Sequence, residues 1–211
     1  MNPELLSLAG AAGLVGVIHT LIGPDHYVPF VALAKARKWS LRRTLNVTVL
    51  CGIGHIASAV AIAVLVTKLA PHVFDSATLE SARGAIAGWA LLSFGVIYAI
   101  WGFRRAIRVG YGTQPESGGK LTWALFLIFV LGPCEPLVPF VTLPQTVSGP
   151  LATIVLTSAF SIATLATMIS TVVLGYKGIS VAKFKFNPAY GHAVAGLCIL
   201  ACGASMVFIG A

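Results

Sequence analysis

The chain interrupts its own apolar runs twice, and in nearly the same way. Gly23 to Leu33 reads GPDHYVPFVAL, and Gly132 to Leu143 reads GPCEPLVPFVTL. In each copy a Gly-Pro pair ends a long apolar stretch, ionisable or reactive side chains follow at once (Asp25 and His26; Cys134 and Glu135), and Val-Pro-Phe-Val resumes the run. Proline removes a backbone donor and clashes with the preceding turn. A helix reaching Pro24 or Pro133 therefore releases carbonyls before the break and amides after it. The fold has to supply partners for those groups twice over.

What surrounds the breaks fixes the class. The 211 residues are 57% hydrophobic and only 9% charged, with a mean hydropathy of +0.92. That leaves too few polar side chains to cover a soluble globule, so the expectation is an integral membrane protein. Met1 to Glu4 carries no Lys or Arg, so a cleavable signal peptide with a basic n-region is not expected there. Cys51, Cys134, Cys198 and Cys202 lie in apolar surroundings, unlike the exposed loops that carry a disulfide framework.

A hydrocarbon core of about 30 Å needs about 20 apolar residues per helix, and six such spans are read. The first runs from Leu5 through its break to Ala34, then 45–66, 84–103, 121–146 through the second break, 151–175 and 189–209. Twelve of the fourteen basic residues fall on one side of this arrangement: Lys35, Arg37, Lys38, Arg42 and Arg43; Arg104, Arg105, Arg108 and Lys120; Lys177, Lys183 and Lys185. Only Lys68 and Arg83 fall on the other. The positive-inside rule puts the twelve in the cytoplasm and both termini outside, in the cell (inner) membrane. The net charge of +8 is thereby assigned to membrane orientation and anionic headgroups, with no nucleic-acid partner expected.

Three spans separate the two Gly-Pro copies, so the second half enters the membrane in the opposite sense to the first. The expected fold is all-α: one transmembrane domain, 1–211, built as a 3+3 inverted-topology repeat (1–110 and 120–211) with broken helices in spans 1 and 4. Secondary transporters built this way bind substrate near the midplane, where interrupted helices meet. Counting 31 residues from each Gly-Pro glycine reaches Gly54 and Ala163, which sets His55 opposite Thr164.

The ionisable residues collect at the breaks. His19 lies one heptad before His26, Asp25 sits beside it, His55 is on the next span, and Cys134 and Glu135 come from the other half. An Asp at a helix centre costs about 2.5–3.5 kcal/mol on insertion scales, so residues of this kind in lipid need a task. Imidazole, carboxylate and thiolate together suit borderline first-row ions. Structural tasks stand beside that one: Asp25 and Glu135 as caps of the half-helices, His19 and His55 as neutral imidazoles bonded to carbonyls, Cys134 as a packing residue. Gly23, Pro24, Gly132 and Pro133 shape the breaks under either reading, with Thr164 beside the pathway. Gly84 and Gly88, four apart, would permit close packing between copies in a homo-oligomer.

H-T-L-I-G-P-D-H followed by G-I-G-H resembles the nickel/cobalt transporters of the NiCoT and NicO families and the related urease-accessory membrane proteins. Those permeases carry H-x4-D-H where this chain has H-x5-D-H, and eight spans where six are read here. The resemblance implies that His19, Asp25 and His26 handle metal, with Ni²⁺ or Co²⁺ as transported substrate and no resident cofactor. G-P-C-E-P also resembles the cysteine motifs of the CcdA and DsbD thiol-disulfide conductors, in which each half supplies one cysteine. Here the first half has Asp25 and His26 at that place. A relay needs a second thiol, such as Cys51 brought close to Cys134. An accessory subunit of another transporter is the third class. The chain has no nucleotide-binding P-loop and no recognisable catalytic triad, so it is not read as an enzyme or as an ATP-driven pump.

Overall fold

The computed structural model describes residues 3–69, 76–109, 118–132, 134–142, 149–181 and 188–209. Among these the chain is helical, with no strand. The helices are α1 (Pro3–Ile22), α2 (Val28–Ala36), α3 (Leu41–Leu69), α4 (Ser76–Val109), α5 (Gly118–Leu131), α6 (Val138–Thr142), α7 (Gly149–Val181) and α8 (Gly191–Phe208). Short 3₁₀ turns at Pro24–His26, Glu135–Leu137 and Pro188–Tyr190 precede α2, α6 and α8.

Five helices, α1, α3, α4, α7 and α8, are long and apolar enough to cross a membrane. Large apolar side chains such as Leu14, Leu50, Ile97, Ile162 and Leu174 point outward along them, as a hydrocarbon solvent allows. The two segments with Gly-Pro pairs depart from single spans. Nothing between Pro3 and Ile22 breaks a helix, so α1 reaches 20 residues before the first break. Helix α5 has only 14, about 21 Å of rise, short of the 30 Å core. The segment expected to form the fourth span folds as α5, a turn and α6, with α5 below the length of the five spanning helices. Pro133 lies outside the described residues, as do Lys183, Lys185 and His72 and the side chains of Lys68, Lys120 and Glu135.

Packing follows a regular pairing. Helix α1 lies along α7, and α3 along α5; α2 packs on α7 and α8, while α6 packs on α3 and α7. The most extensive pair is α4 with α8. These two run antiparallel and interlock through glycines a heptad apart. Gly95 rests on the Leu200 backbone, Gly102 on Ala193, Gly196 on Ala99 and Gly203 on Leu92, each so close that a Cβ would run into main-chain atoms. Gly88 packs on Met206 and Val207 of the same α8, so one half of the Gly84/Gly88 pair serves packing within the chain rather than between copies.

Candidate metal centre

The first break is assembled from its own neighbours. The Gly23 amide donates to His19 O at 3.0 Å and closes α1; His26 N then donates to Gly23 O at 3.1 Å and Tyr27 N to Pro24 O at 3.3 Å, which draws the chain into a 3₁₀ turn. The His26 ring, 3% exposed, turns back over this turn. Its Nδ1 lies 3.1 Å from Gly23 O and 3.2 Å from Asp25 Oδ1. Both partners accept, so Nδ1 donates, and in the neutral imidazole Nε2 keeps its lone pair. No side-chain cap bond forms at the start of the 3₁₀ turn or of α2. Asp25 therefore acts on His26 rather than as a helix cap.

The second break draws on residues far away in sequence. Gly132 N donates to Phe129 O at 3.0 Å and Leu137 N to Cys134 O at 2.9 Å. The Phe129 carbonyl also accepts from Nδ1 of His55, 3.1 Å away on α3. The consequence repeats that at His26: a ring fixed by a carbonyl at one nitrogen, with the other left as a donor to a metal. Nε2 of His19, His26 and His55 are all buried without a hydrogen-bond partner. Buried imidazole nitrogens of this kind are expected to have a partner.

These orphan nitrogens converge. His26 stands edge-on between the other two rings, its centroid 4.8 Å from that of His19 and 5.4 Å from that of His55. Ligand atoms of His19, His55 and the fully buried Cys134 all lie within 4.8 Å of one another. Three atoms within 4.8 Å of one another leave a central ion no more than about 2.8 Å from each, against metal bonds of about 2.0–2.3 Å. A shift of roughly half an ångström in the side chains completes a His₂Cys set.

A cavity of about 570 Å³ opens onto the cluster between α1, α4 and α8. His19, Asp25 and His26 form its polar wall, with Ser81 and Gly84 near the start of α4 and Met206 and Val207 near the end of α8 opposite them. Behind Asp25 and His26 a second void of about 20 Å³ reaches His55 and Gly132, room for about one water. Asp25 and His26 thus stand between the open groove, which His19 also lines, and the buried His55.

The sequence ranks Asp25, His26 and Cys134 as first ligands, with His19, His55 and Glu135 behind them. The structure groups His19 and His55 with Cys134 and sets Asp25 and His26 at their side. Thr164, on α7, is buried with an unpartnered hydroxyl against Gly16 of α1. Cys51 packs with Phe30, Leu33 and Met168, whereas Cys134 packs in a separate cluster with Ala12, Ala59 and Leu137. Arg83, read from sequence as a residue flanking the third span, is instead 8% exposed and bonded to the end of α5. Its position three residues before the apolar run of α4, on the sparsely charged side, is the one sequence signal that sets it apart. No protein-family model, curated protein or solved structure matches the chain.

Proposed function

We propose that this chain is a secondary transporter of a divalent transition-metal ion, Ni²⁺ or Co²⁺ by its resemblance to the nickel/cobalt permeases. The observation that carries the reading is the convergence of His19, His55 and Cys134 within 4.8 Å, with imidazole Nε2 atoms buried and unpartnered. A carbonyl fixes His55 at its far nitrogen; a metal-binding histidine usually has its other ring nitrogen held in this way. His26, held by Gly23 O and Asp25, stands at the inner wall of the groove as the residue that passes the ion on to His55.

The proposed architecture is six spans in a 3+3 inverted repeat. The pairing supports it: α1 on α7 and α5 on α3 are the same contact seen from each half, as are α2 on α7 and α6 on α3, while α4 on α8 maps onto itself. With both termini outside and the basic loops in the cytoplasm of the cell membrane, the groove faces outward. Rocking of one half against the other would close it and open the opposite side. Histidine binds metal only when neutral, so ion binding displaces protons and the proposed transport is coupled to the proton gradient. The thiol-relay alternative needs a partner for Cys134, and Cys51 packs in a different cluster.

Whole-cell metal content by mass spectrometry, over Mn, Fe, Co, Ni, Cu and Zn, tests the reading in cells expressing the wild type, His55→Ala or Cys134→Ala at matched membrane levels. One metal should shift in the wild type and return to baseline in both variants. An unchanged metal profile in the wild type would refute transport.

A further inference from the structure

Arg83 places a guanidinium at the end of α5, where the second break leaves carbonyls exposed. Its Nη2 lies 2.9 Å from Ser58 Oγ, 3.0 Å from Val130 O and 3.1 Å from Gly132 O. Ser58 Oγ lies 2.7 Å from the same Val130 carbonyl, and His55 Nδ1 donates to Phe129 O at 3.1 Å. The last-turn carbonyls that Gly132 and Pro133 release are therefore gathered by three side chains from α3 and α4. A cation suits this place, since a helix C-terminus carries the negative end of its dipole. A charge within a span is expensive unless it faces protein and does a job.

The job follows from what is attached. One residue separates Gly132 from Cys134, and the same carbonyl cluster that Arg83 grips also orients His55. Two of the three grouped ligands are thus referred to one guanidinium, while His19 belongs to α1 across the groove. Among the described residues the first break has no equivalent: Gly23 O is taken by its neighbour His26. We propose that Arg83 is a positioning residue for the metal site, pinning the end of α5 so that the Cys134 thiolate meets the same ion as His19 and His55. The proposal rests on the metal reading above.

The test uses the full chain purified in detergent, with Cys51, Cys198 and Cys202 replaced by Ala so that Cys134 is the one thiol, titrated with Co²⁺. In this background, intact Arg83 should give both visible d–d bands and a near-ultraviolet thiolate-to-cobalt charge-transfer band; the latter should vanish in Cys134→Ala. Arg83→Gln should lose most of the charge-transfer band and about tenfold in Co²⁺ affinity, yet keep d–d absorption from the histidines. Arg83→Lys should fall between. A merely structural role would lower thermal stability without separating the two bands. Arg83→Gln with an undiminished charge-transfer band and affinity overturns the proposal. Where Arg83→Gln does not fold, Arg83→Lys and Ser58→Ala decide, and full bands in both overturn it. Absence of any Co²⁺ spectrum in the parent with Arg83 intact removes the metal site itself, and the positioning role with it.

Discussion

The two breaks share a sequence and differ in how their backbone is satisfied. At Gly23 the released carbonyl bonds to a side chain three residues on, and Leu21 O accepts from Tyr27 at 3.3 Å. At Gly132 the carbonyls of Phe129, Val130 and Gly132 reach His55, Ser58 and Arg83, all from the other half of the chain. The first break folds on itself; the second is held by its surroundings. The same Gly-Pro interruption can therefore be a local turn or a junction between halves. Side chains elsewhere decide which.

Removing one histidine from each break gives the largest contrast. On the proposed reading His55→Ala removes a ligand and the donor on Phe129 O together, and metal transport should fall on the order of 100-fold. His26→Ala leaves the His19, His55 and Cys134 group in place and should cost about tenfold. Equal losses in the two variants, measured as metal content at matched expression, would make His26 a ligand and dissolve the distinction.

Adding a methyl to each glycine comes next. A Cβ at Gly23 would lie 2.6 Å from His26 Nδ1 and 2.8 Å from Asp25 Oδ1, whereas at Gly132 the nearest contact is His55 Nδ1 at 3.1 Å. Gly23→Ala must push the His26 ring aside and should lower uptake about tenfold, while Gly132→Ala needs only a few tenths of an ångström and should stay within about threefold of the wild type. The reverse order would show that the second break is the more rigid. Asp25→Asn should cost less than Asp25→Ala, since the carboxamide oxygen still accepts from His26 Nδ1 and only the charge is lost. Equal effects would put the charge, rather than the orientation, first.

How far this was legible in the sequence differs between the two breaks for the same reason. The Gly-Pro breaks and the His19/His26 pairing are local, and residue spacing carries them; that each break passes through a 3₁₀ turn is seen only in the structure. The choice of His19 and His55 over Asp25 depends on which atoms remain without partners after the backbone is satisfied. For His55 that partner is 74 residues distant, and no periodicity records it. Arg83 is harder still. Charge counting assigns a basic residue by its distance from an apolar window, and nothing in that window encodes the two carbonyls, Val130 O and Gly132 O, that arrive from the second break. The glycines of α4 and α8 lie between these cases: their seven-residue spacing is plain once the two helices are known to pair. The Gly84/Gly88 spacing alone names no partner, and for Gly88 the structure supplies Met206 and Val207 of α8.

The smallest contrast isolates the hydrogen bonds from the ligands. Ser58 and Tyr27 each place a hydroxyl on a carbonyl ahead of a break, and neither is among the grouped ligands. Ser58 is partly buried, bonded to Val130 O and accepting from Arg83, so Ser58→Ala removes a link that the guanidinium also uses. Tyr27 is itself partly buried, but its bond to Leu21 O is exposed and long, 3.3 Å. A buried charge-assisted link is worth about 1.5–3 kcal/mol and a weak exposed one about 0.5 kcal/mol or less. For a chain of this size each kcal/mol moves the unfolding midpoint by about 2–4 °C. Ser58→Ala should thus lower the thermal midpoint in detergent by several degrees, and Tyr27→Phe by about 2 °C or less. A larger drop for Tyr27→Phe would mean that the first break also depends on a bond beyond its own turn, and the division between a self-contained and a supported break would fail.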